Sequence, residues 1–503
     1  MPVGFSHIPP NLRVPLFWAE FDSSQAGYLA SNQPACLLGH KLADAPGPEE
    51  ELVLVSGVDQ AIALFGAGSV LADMVDAYRQ NDPTGELWCI AVPQPTGAEA
   101  TGKVVFAGTP TVGGLVAVYV GGRRYQVPVS PTSTPTTLAT ALVAAITADL
   151  SAPAVATATA GDVTLTAQAA GVIGNTINLA INLRGVTAGE WTPDGLTVTP
   201  TAFAGGTGDP DVAASLALLA DTEYDFVGFP WTDTGTLDDV QAAFNDVSGR
   251  WAWSIQLYGH AFSARSGTVA ALVTFGQARN DPHCTVMGYP PNSPSPCWRV
   301  AAALTAQAAV GLRADPARPL QTLPLVGIAI APRGQRFPVG DRQTLLFNGV
   351  ATCTAGVDDV VHIERSITTY QRNAWAQTDP SWLDIQTPAT LQYIVRRLRN
   401  AILTKFPRSK LASDGTRFGP GQAIVTPAIL RAELVAQYSE LEAEAVVENI
   451  DAFKKFLIVE RDLTDPNRVN VLLPPDLVNQ LRIFAMLVQF RLQFAPDAAA
   501  TAA

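Results

Sequence analysis

The residues of this chain that are equipped for chemistry do not gather. It has five histidines in 503 residues. A serine hydrolase would need one of them as a base between a nucleophile and an orienting carboxylate. His260 has Ser263 and Ser266 close by, but no G-x-S-x-G elbow surrounds either serine. Tyr258, His260 and Phe262 read better as the end of a packed strand. His283 and Cys284 are adjacent rather than spaced as metal ligands, Cys297 stands alone, and neither C-x-x-C nor H-E-x-x-H occurs. Phe65-Gly-Ala-Gly-Ser69 and Gly205-Gly-Thr-Gly208 are glycine-rich, but neither extends to a phosphate-cradling G-x-x-x-x-G-K-[ST] or to G-x-G-x-x-G. The expectation is a protein that is not an enzyme, with no catalytic residue, cofactor or metal. An α/β hydrolase is the lesser alternative.

Charge carries the strongest local signal. Between residues 385 and 420 stand Arg396, Arg397, Arg399, Lys405, Arg408, Lys410 and Arg417, against the single acid Asp414. The next block, 431–465, reverses this with nine acids and four bases. Arg396, Arg397, Arg399 and Lys405 cannot all share one stripe of a helix. The chain around them is acidic, with 32 basic and 45 acidic residues and a net charge of −13. A positive strip on an acidic subunit fits an acidic partner or the acidic region of its own neighbour, while the overall sign argues against direct nucleic-acid binding.

Composition bounds the rest. Charged residues make up 15% and apolar residues 48%, where an average globular chain carries about 25% charged. So little charged surface suits a subunit packed among neighbours. The length predicts two to four domains. The five cysteines, odd in number and scattered, argue against a disulfide framework and for a reducing compartment. Met1 to Phe17 lacks a signal-peptide pattern, and no apolar run reaches membrane-spanning length. The expectation is a soluble intracellular product without membrane insertion.

The elements that position these residues alternate. Ala35–Leu38, Leu52–Val55 and Leu87–Val92 read as buried strands, and Ser69 as the cap of a helix burying Val70, Leu71, Met74, Val75 and Tyr78. From 101 to 208 the chain becomes rich in Thr, Val, Ala and Gly, with period-2 stretches at 114–120, 162–166 and 176–183 and one helix near 137–150. This reads as a β-rich domain inserted into the first. The alternation then resumes. A helix runs over 212–219 and a strand over 224–229, and a box Thr236-Leu-Asp-Asp239 opens a helix with Leu237, Val240, Phe244 and Val247 on one face. Strands follow at 254–257, 285–287 and 325–330, with helices around 267–279 and 298–312. This pattern predicts a largely parallel sheet covered on both faces.

Several long motifs, in order along the chain, carry a resemblance. They include Asn11-Leu-Arg-Val-Pro-Leu16, Asn81-Asp-Pro-Thr-Gly-Glu-Leu-Trp88, Ser248-Gly-Arg-Trp-Ala-Trp253 and Arg279-Asn-Asp-Pro-His283. Leu312 to Leu325, Ile363 to Gln371 and Leu472-Leu-Pro-Pro-Asp-Leu-Val-Asn-Gln-Leu481 continue them. Through these the chain resembles the tail sheath proteins of Mu-like contractile-tailed bacteriophages over nearly its whole length, least in the insertion. The resemblance implies an α/β, multi-domain chain whose parallel-sheet core is subtilisin-like without the catalytic triad. It also implies an inserted β-rich domain and a C-terminal α+β domain carrying extended arms. The implied function is structural: a subunit polymerising as stacked six-fold rings around an inner tail tube, contracting to drive the tube through the host envelope for genome ejection. The implied partners are further copies of itself, the tail tube protein, and the baseplate and tail terminator proteins. The implied location is the virion, after assembly in the host cytoplasm. A phage-tail-like bacteriocin or a secretion machine is the alternative setting.

The corresponding division is a 1–20 arm, a core of 21–100 plus 209–365, an outer insertion 101–208, a tube-proximal domain 366–480, and an arm and tail 481–503. The arms are read from the residues themselves. Prolines at 9, 10 and 15 forbid a helix around Leu12, Arg13, Val14, Leu16 and Phe17. The run from 481 to 494 is apolar on both faces, with Ile483 on one and Phe484, Met486, Val488, Phe490 and Leu492 on the other. Both arms are expected to add as strands to a neighbour's sheet, and the basic strip (Arg396, Arg397, Arg399, Lys405, Arg408, Lys410) to face the tube.

Overall fold

The computed structural model describes residues 33–356, 358–419, 421–490 and 492. The strand Ala35–Gly39 is buried at every residue because it lies in the middle of an eight-stranded sheet. On one side it pairs in parallel with Leu87–Ala91, Leu37 opposite Cys89, and that strand carries the antiparallel edge Leu52–Leu54. On the other side come Phe226–Gly228, His260–Ser266, Cys284–Tyr289 and Ala351–Ala355, all parallel, then the antiparallel edge Val361–Arg365. The architecture is mixed α/β around a mostly parallel sheet.

The helix Cys297–Ala314 is buried along nearly all its length, packing on strands Phe226–Gly228 and His260–Ser266 and on helix Val70–Asn81. Its run of alanines lets it approach closely. A Cβ added at Gly228 would stand 2.5 Å from Thr305 Oγ1, so only glycine fits the strand beneath it. Helix Val70–Asn81 starts as expected, Ser69 Oγ accepting the Ala72 N–H.

The insertion forms one four-stranded antiparallel sheet (Leu196–Ala204, Glu99–Gly108, Asp162–Ala170, Ala154–Thr159) and one of three strands (Arg123–Val129, Gly114–Val120, Leu179–Ile181). Helix Pro135–Ala148 opens on a capping box of Thr134 and Thr137. The insertion is not a separately packed block. Its buried residues, among them Val104, Leu165 and Ile173, continue into the core that holds Leu71 and Trp298. Asp73 of the core also meets Arg123 of the insertion at 3.3 Å.

Several local expectations differ. The chain from 325 to 330 is not a strand but turns at Gly327, whose φ is +78°. Residues 254–257 also form a turn, and the strand starts at His260. Leu52–Leu54 is a half-exposed edge rather than a buried strand, and only Leu179–Ile181 of 176–183 pairs. The helix Thr234–Phe244 is capped by Asp233, whose Oδ1 accepts the Thr236 N–H, so Thr236 lies inside the first turn, and Val247 is exposed.

The C-terminal part packs helices Gln386–Lys405, Pro427–Ala443 and Ile450–Phe456 around a second small core of Ile394, Leu434, Tyr438, Leu441 and Phe453. A hairpin, Ile458–Arg461 with Val469–Leu472, extends from it. Among the described residues no helix is long and apolar enough to cross a membrane.

Candidate functional site

His260 does not meet either of the serines near it in sequence. Nε2 of His260 lies 2.8 Å from Thr285 Oγ1, while Ser263 Oγ donates to the Trp231 carbonyl and Ser266 Oγ to that of Pro290. Burial, reinforced by His283, holds the His260 imidazole well below its ordinary pKa. His283 sits 3.0 Å from Asp246 Oδ1 and stacks on Trp251, with ring centroids 4.2 Å apart. Cys284 and Cys297 are buried, and burial pushes both thiols up, Cys297 to about 11. Among the described residues no group of three His, Cys, Asp or Glu could hold a metal ion.

The basic strip is divided by the fold. Arg396 does not reach the surface: it is buried, ion-paired with Asp225 and 3.2 Å from Glu223 of the core. Arg397 meets Glu440 at 2.7 Å and Glu444 at 2.6 Å, and Lys405 meets Glu433 at 2.7 Å. Glu433 and Glu440 lie on helix Pro427–Ala443 and Glu444 is its C-cap, so the adjoining charge blocks neutralise each other within one chain. Helical geometry explains the split, since Gln392 and Arg396, four apart, face the core while Arg397 turns to the acidic helix. Arg399, Arg408 and Lys410 stay exposed; Lys410 lies 3.5 Å from Gln422 Oε1, and Arg399 acts electrostatically on Tyr258.

The terminal segment is a continuous run of exposed apolar side chains. Ile483, Phe484, Met486, Val488 and Phe490 are 67–81% exposed and Leu492 is 97% exposed. Among the described residues no strand pairs with residues 481–490. The segment is tied at its root. Arg482 donates to Gln386 Oε1 at 2.7 Å and Asp384 Oδ1 at 3.1 Å, and Gln321 donates to the Leu481 carbonyl. Sequence reasoning missed this anchor, because Arg482 stands alone among apolar residues and its partners lie about 100 residues or more away. The two-stranded hairpin at 458–472 likewise has both outer edges free among the described residues, with Ile458, Val471 and Leu472 exposed. Trp253, which ends one of the motifs above, and Trp375 are also strongly exposed. Leu12, Arg13, Val14, Leu16 and Phe17 lie outside the described residues.

Comparison with known proteins gives a consistent result. Residues 205–369 match the phage tail sheath protein central domain, and residues 377–491 the phage tail sheath C-terminal domain. The chain is 39% identical over 493 residues to the Mu-like prophage FluMu tail sheath protein of Haemophilus influenzae, covering 97% of this chain and all of that one. Among solved structures it is similar to the sheath tail protein of Desulfitobacterium hafniense (12% identity, TM-score 0.49, 93% of this chain and 97% of that one). It is also similar to a sheath tail protein of Listeria innocua (11% identity, TM-score 0.45, 89% and 92%).

Proposed function

The chain belongs to the phage tail sheath family, and from that premise we propose how its subunits join and what each part does. It is a structural subunit of the contractile tail sheath of a Mu-like phage, a virion component and not an enzyme. In our reading the subunits stack as six-fold rings around the tail tube and bind baseplate and terminator proteins at the two ends of the stack. The observation that carries the reading is the exposure of Ile483, Phe484, Met486, Val488, Phe490 and Leu492 beyond an anchor at Arg482.

A two-sided apolar segment left in water aggregates, and burying it as a strand in a neighbour's sheet satisfies backbone and side chains together. The free-edged hairpin of 458–472 is the receiver we propose, since an isolated pair of strands is marginal by itself. The N-terminal Leu12–Phe17 arm joins the same sheet from another copy. Each backbone hydrogen bond contributes only about 1 kcal/mol net, but every subunit repeats the set. Strands exchanged on flexible connections stay paired while rings rotate, so contraction slides subunits without unlinking them.

The remaining assignments follow the same logic. The parallel sheet with its buried helix Cys297–Ala314 supports a subtilisin-like core. The insertion faces outward. The domain from 366 to 480 faces the tube, through Arg399, Arg408 and Lys410 alone. Truncation after Arg482 tests the central claim, because it keeps the anchor and removes the arm. The expected product is a folded protein by circular dichroism that forms no rings or tubes under the electron microscope. Ordered polymers from the truncated chain would overturn the arm-exchange reading.

A further inference from the structure

The root of the terminal arm is a junction of several distant segments. Arg482 Nη2 donates to Gln386 Oε1 at 2.7 Å and to Asp384 Oδ1 at 3.1 Å, and its Nη1 donates to Gln321 Oε1 at 3.4 Å. Gln321 Nε2 in turn donates to the Leu481 carbonyl at 3.2 Å. Asp384 is shared. Arg365 donates Nε to its Oδ1 at 3.0 Å and Nη2 to its Oδ2 at 2.9 Å. Arg365 ends the edge strand Val361–Arg365, and Gln386 opens helix Gln386–Lys405. The junction therefore ties the central domain, through Gln321 and Arg365, to the C-terminal domain, through Asp384, Gln386 and Arg482. The stretch 313–321 also holds the other end of the chain, since Arg313 Nε donates to the Gln33 carbonyl at 2.8 Å.

The charges at this junction do not balance, because two guanidiniums share one carboxylate. Burial lowers the pKa of Arg482; Asp384 opposes that shift and Arg365 adds to it. Its Nε is buried with no partner among the described residues, which is a further cost. Arg482 therefore adds little to the stability of the folded subunit. Removing one partner of a buried pair is costly when the other is left unpaired. Here it is not left unpaired, since Arg365 still holds both oxygens of Asp384. What Arg482 supplies is direction. Its planar fork reaches acceptors on separate segments and fixes the chain at 482. The next side chain, Ile483, is already 79% exposed.

We propose that Arg482 is a positioning residue for assembly: its contacts to Asp384, Gln386 and Gln321 set the direction in which the arm leaves the subunit, and so the concentration at which subunits polymerise. The inference rests on the arm-exchange reading above. A strand aimed from a fixed root searches a smaller volume than one on a free tether. Its effective concentration at a neighbour's sheet edge is higher, and less freedom is lost when it binds. Because the junction spans two domains, the aim of the arm follows their relative placement.

The test uses the full chain and measures two quantities, the melting midpoint of the subunit and the critical concentration for polymer by sedimentation, with polymers checked by electron microscopy. Arg482→Ala is expected to melt within about 2 °C of wild type and to need about tenfold more protein to polymerise. Arg482→Lys, which keeps the charge without the fork, should recover part of that loss. A second variant inserts two glycines between Arg482 and Ile483. It keeps every contact of the junction and the two-residue alternation of the arm, and frees only the direction. It is expected to raise the critical concentration as Arg482→Ala does. Polymerisation of either variant at the wild-type concentration overturns the proposal, and so does a large fall in the melting midpoint of Arg482→Ala, which marks a structural residue. The arm-exchange reading survives both results as long as truncation after Arg482 abolishes polymer. Polymer from the truncated chain removes the reading and the proposal together.

Discussion

Arg396 shows how a charge read as surface becomes structure. Its guanidinium is buried against Asp225, which also accepts from Gln392 Nε2 at 3.2 Å. Burial pushes the Asp225 carboxyl up even with Arg396 beside it, so desolvation outweighs attraction at this pair. Removing one partner is then costly. Arg396→Met is expected to destabilise the chain by about 3–5 kcal/mol in urea unfolding, and adding Asp225→Asn to recover much of that. His40 gives a pH dependence at the same scale. Burial, opposed by the Val92 carbonyl at 3.0 Å from Nδ1, lowers its pKa to about 4. Between about pH 6.5 and 4 the unfolded chain therefore binds more protons than the folded one. Stability is full above that window and falls on acidification through it. Melting curves from pH 8 to 4.5 should show this loss, and His40→Gln should flatten it.

Among the elements, helix Cys297–Ala314 governs the core because a strand glycine admits it. Gly228→Ala places a methyl 2.5 Å from Thr305 Oγ1 and 2.7 Å from Leu37 Cδ2. The expected cost is about 1–3 kcal/mol, seen as a lower denaturation midpoint, with Thr305→Ala restoring part of it. The helix pair Gln386–Lys405 and Pro427–Ala443 shows the electrostatic counterpart. Arg397 and Lys405 cross to Glu440, Glu444 and Glu433. These pairs are partly exposed, so each contributes little on its own. Their consequence is to remove those cations from the outer surface.

At the scale of the whole molecule, that removal narrows what can face a tube. Arg399, Arg408 and Lys410 changed together to glutamate are expected to weaken co-sedimentation with tube protein, and raised salt should mimic the loss in wild type. Salt-independent, unchanged association would mark these residues as an ordinary solvated face. The insertion enters and leaves at neighbouring points, the Thr207 N–H donating to the Ala98 carbonyl at 3.1 Å. A short Gly/Ser bridge replacing roughly 103–205 therefore spans its gap. Because the insertion shares the main core around Trp298 and Val70, the shortened chain is expected to melt at a lower temperature yet still to polymerise. A folded product without ordered polymer would show that the insertion takes part in the lattice.

Local rules carried far in the sequence of this protein. Period-2 threonine-rich runs marked the β-rich insertion, Ser69 marked a helix start, and the run after Leu481 was apolar on both faces where the structure leaves it exposed. Each of these signals sits within a few residues, where backbone geometry and side-chain type act directly. The failures have the opposite character. Leu325–Ile330 is as apolar as a core strand but turns at Gly327, while the sheet is completed by Ala351–Ala355 and Val361–Arg365, whose composition is unremarkable. A short apolar run records burial, and burial does not distinguish a strand from a loop pressed into the core. Arg396 meets an acid 171 positions away and Arg482 meets acceptors about 100 away, so neither role is written in any local pattern. The sequence by itself determined the layers, the family and the absence of catalytic motifs. Only the tertiary structure decided which charges are spent inside the chain and how the terminal segment is anchored, because both depend on residues that spacing along the chain never brings together.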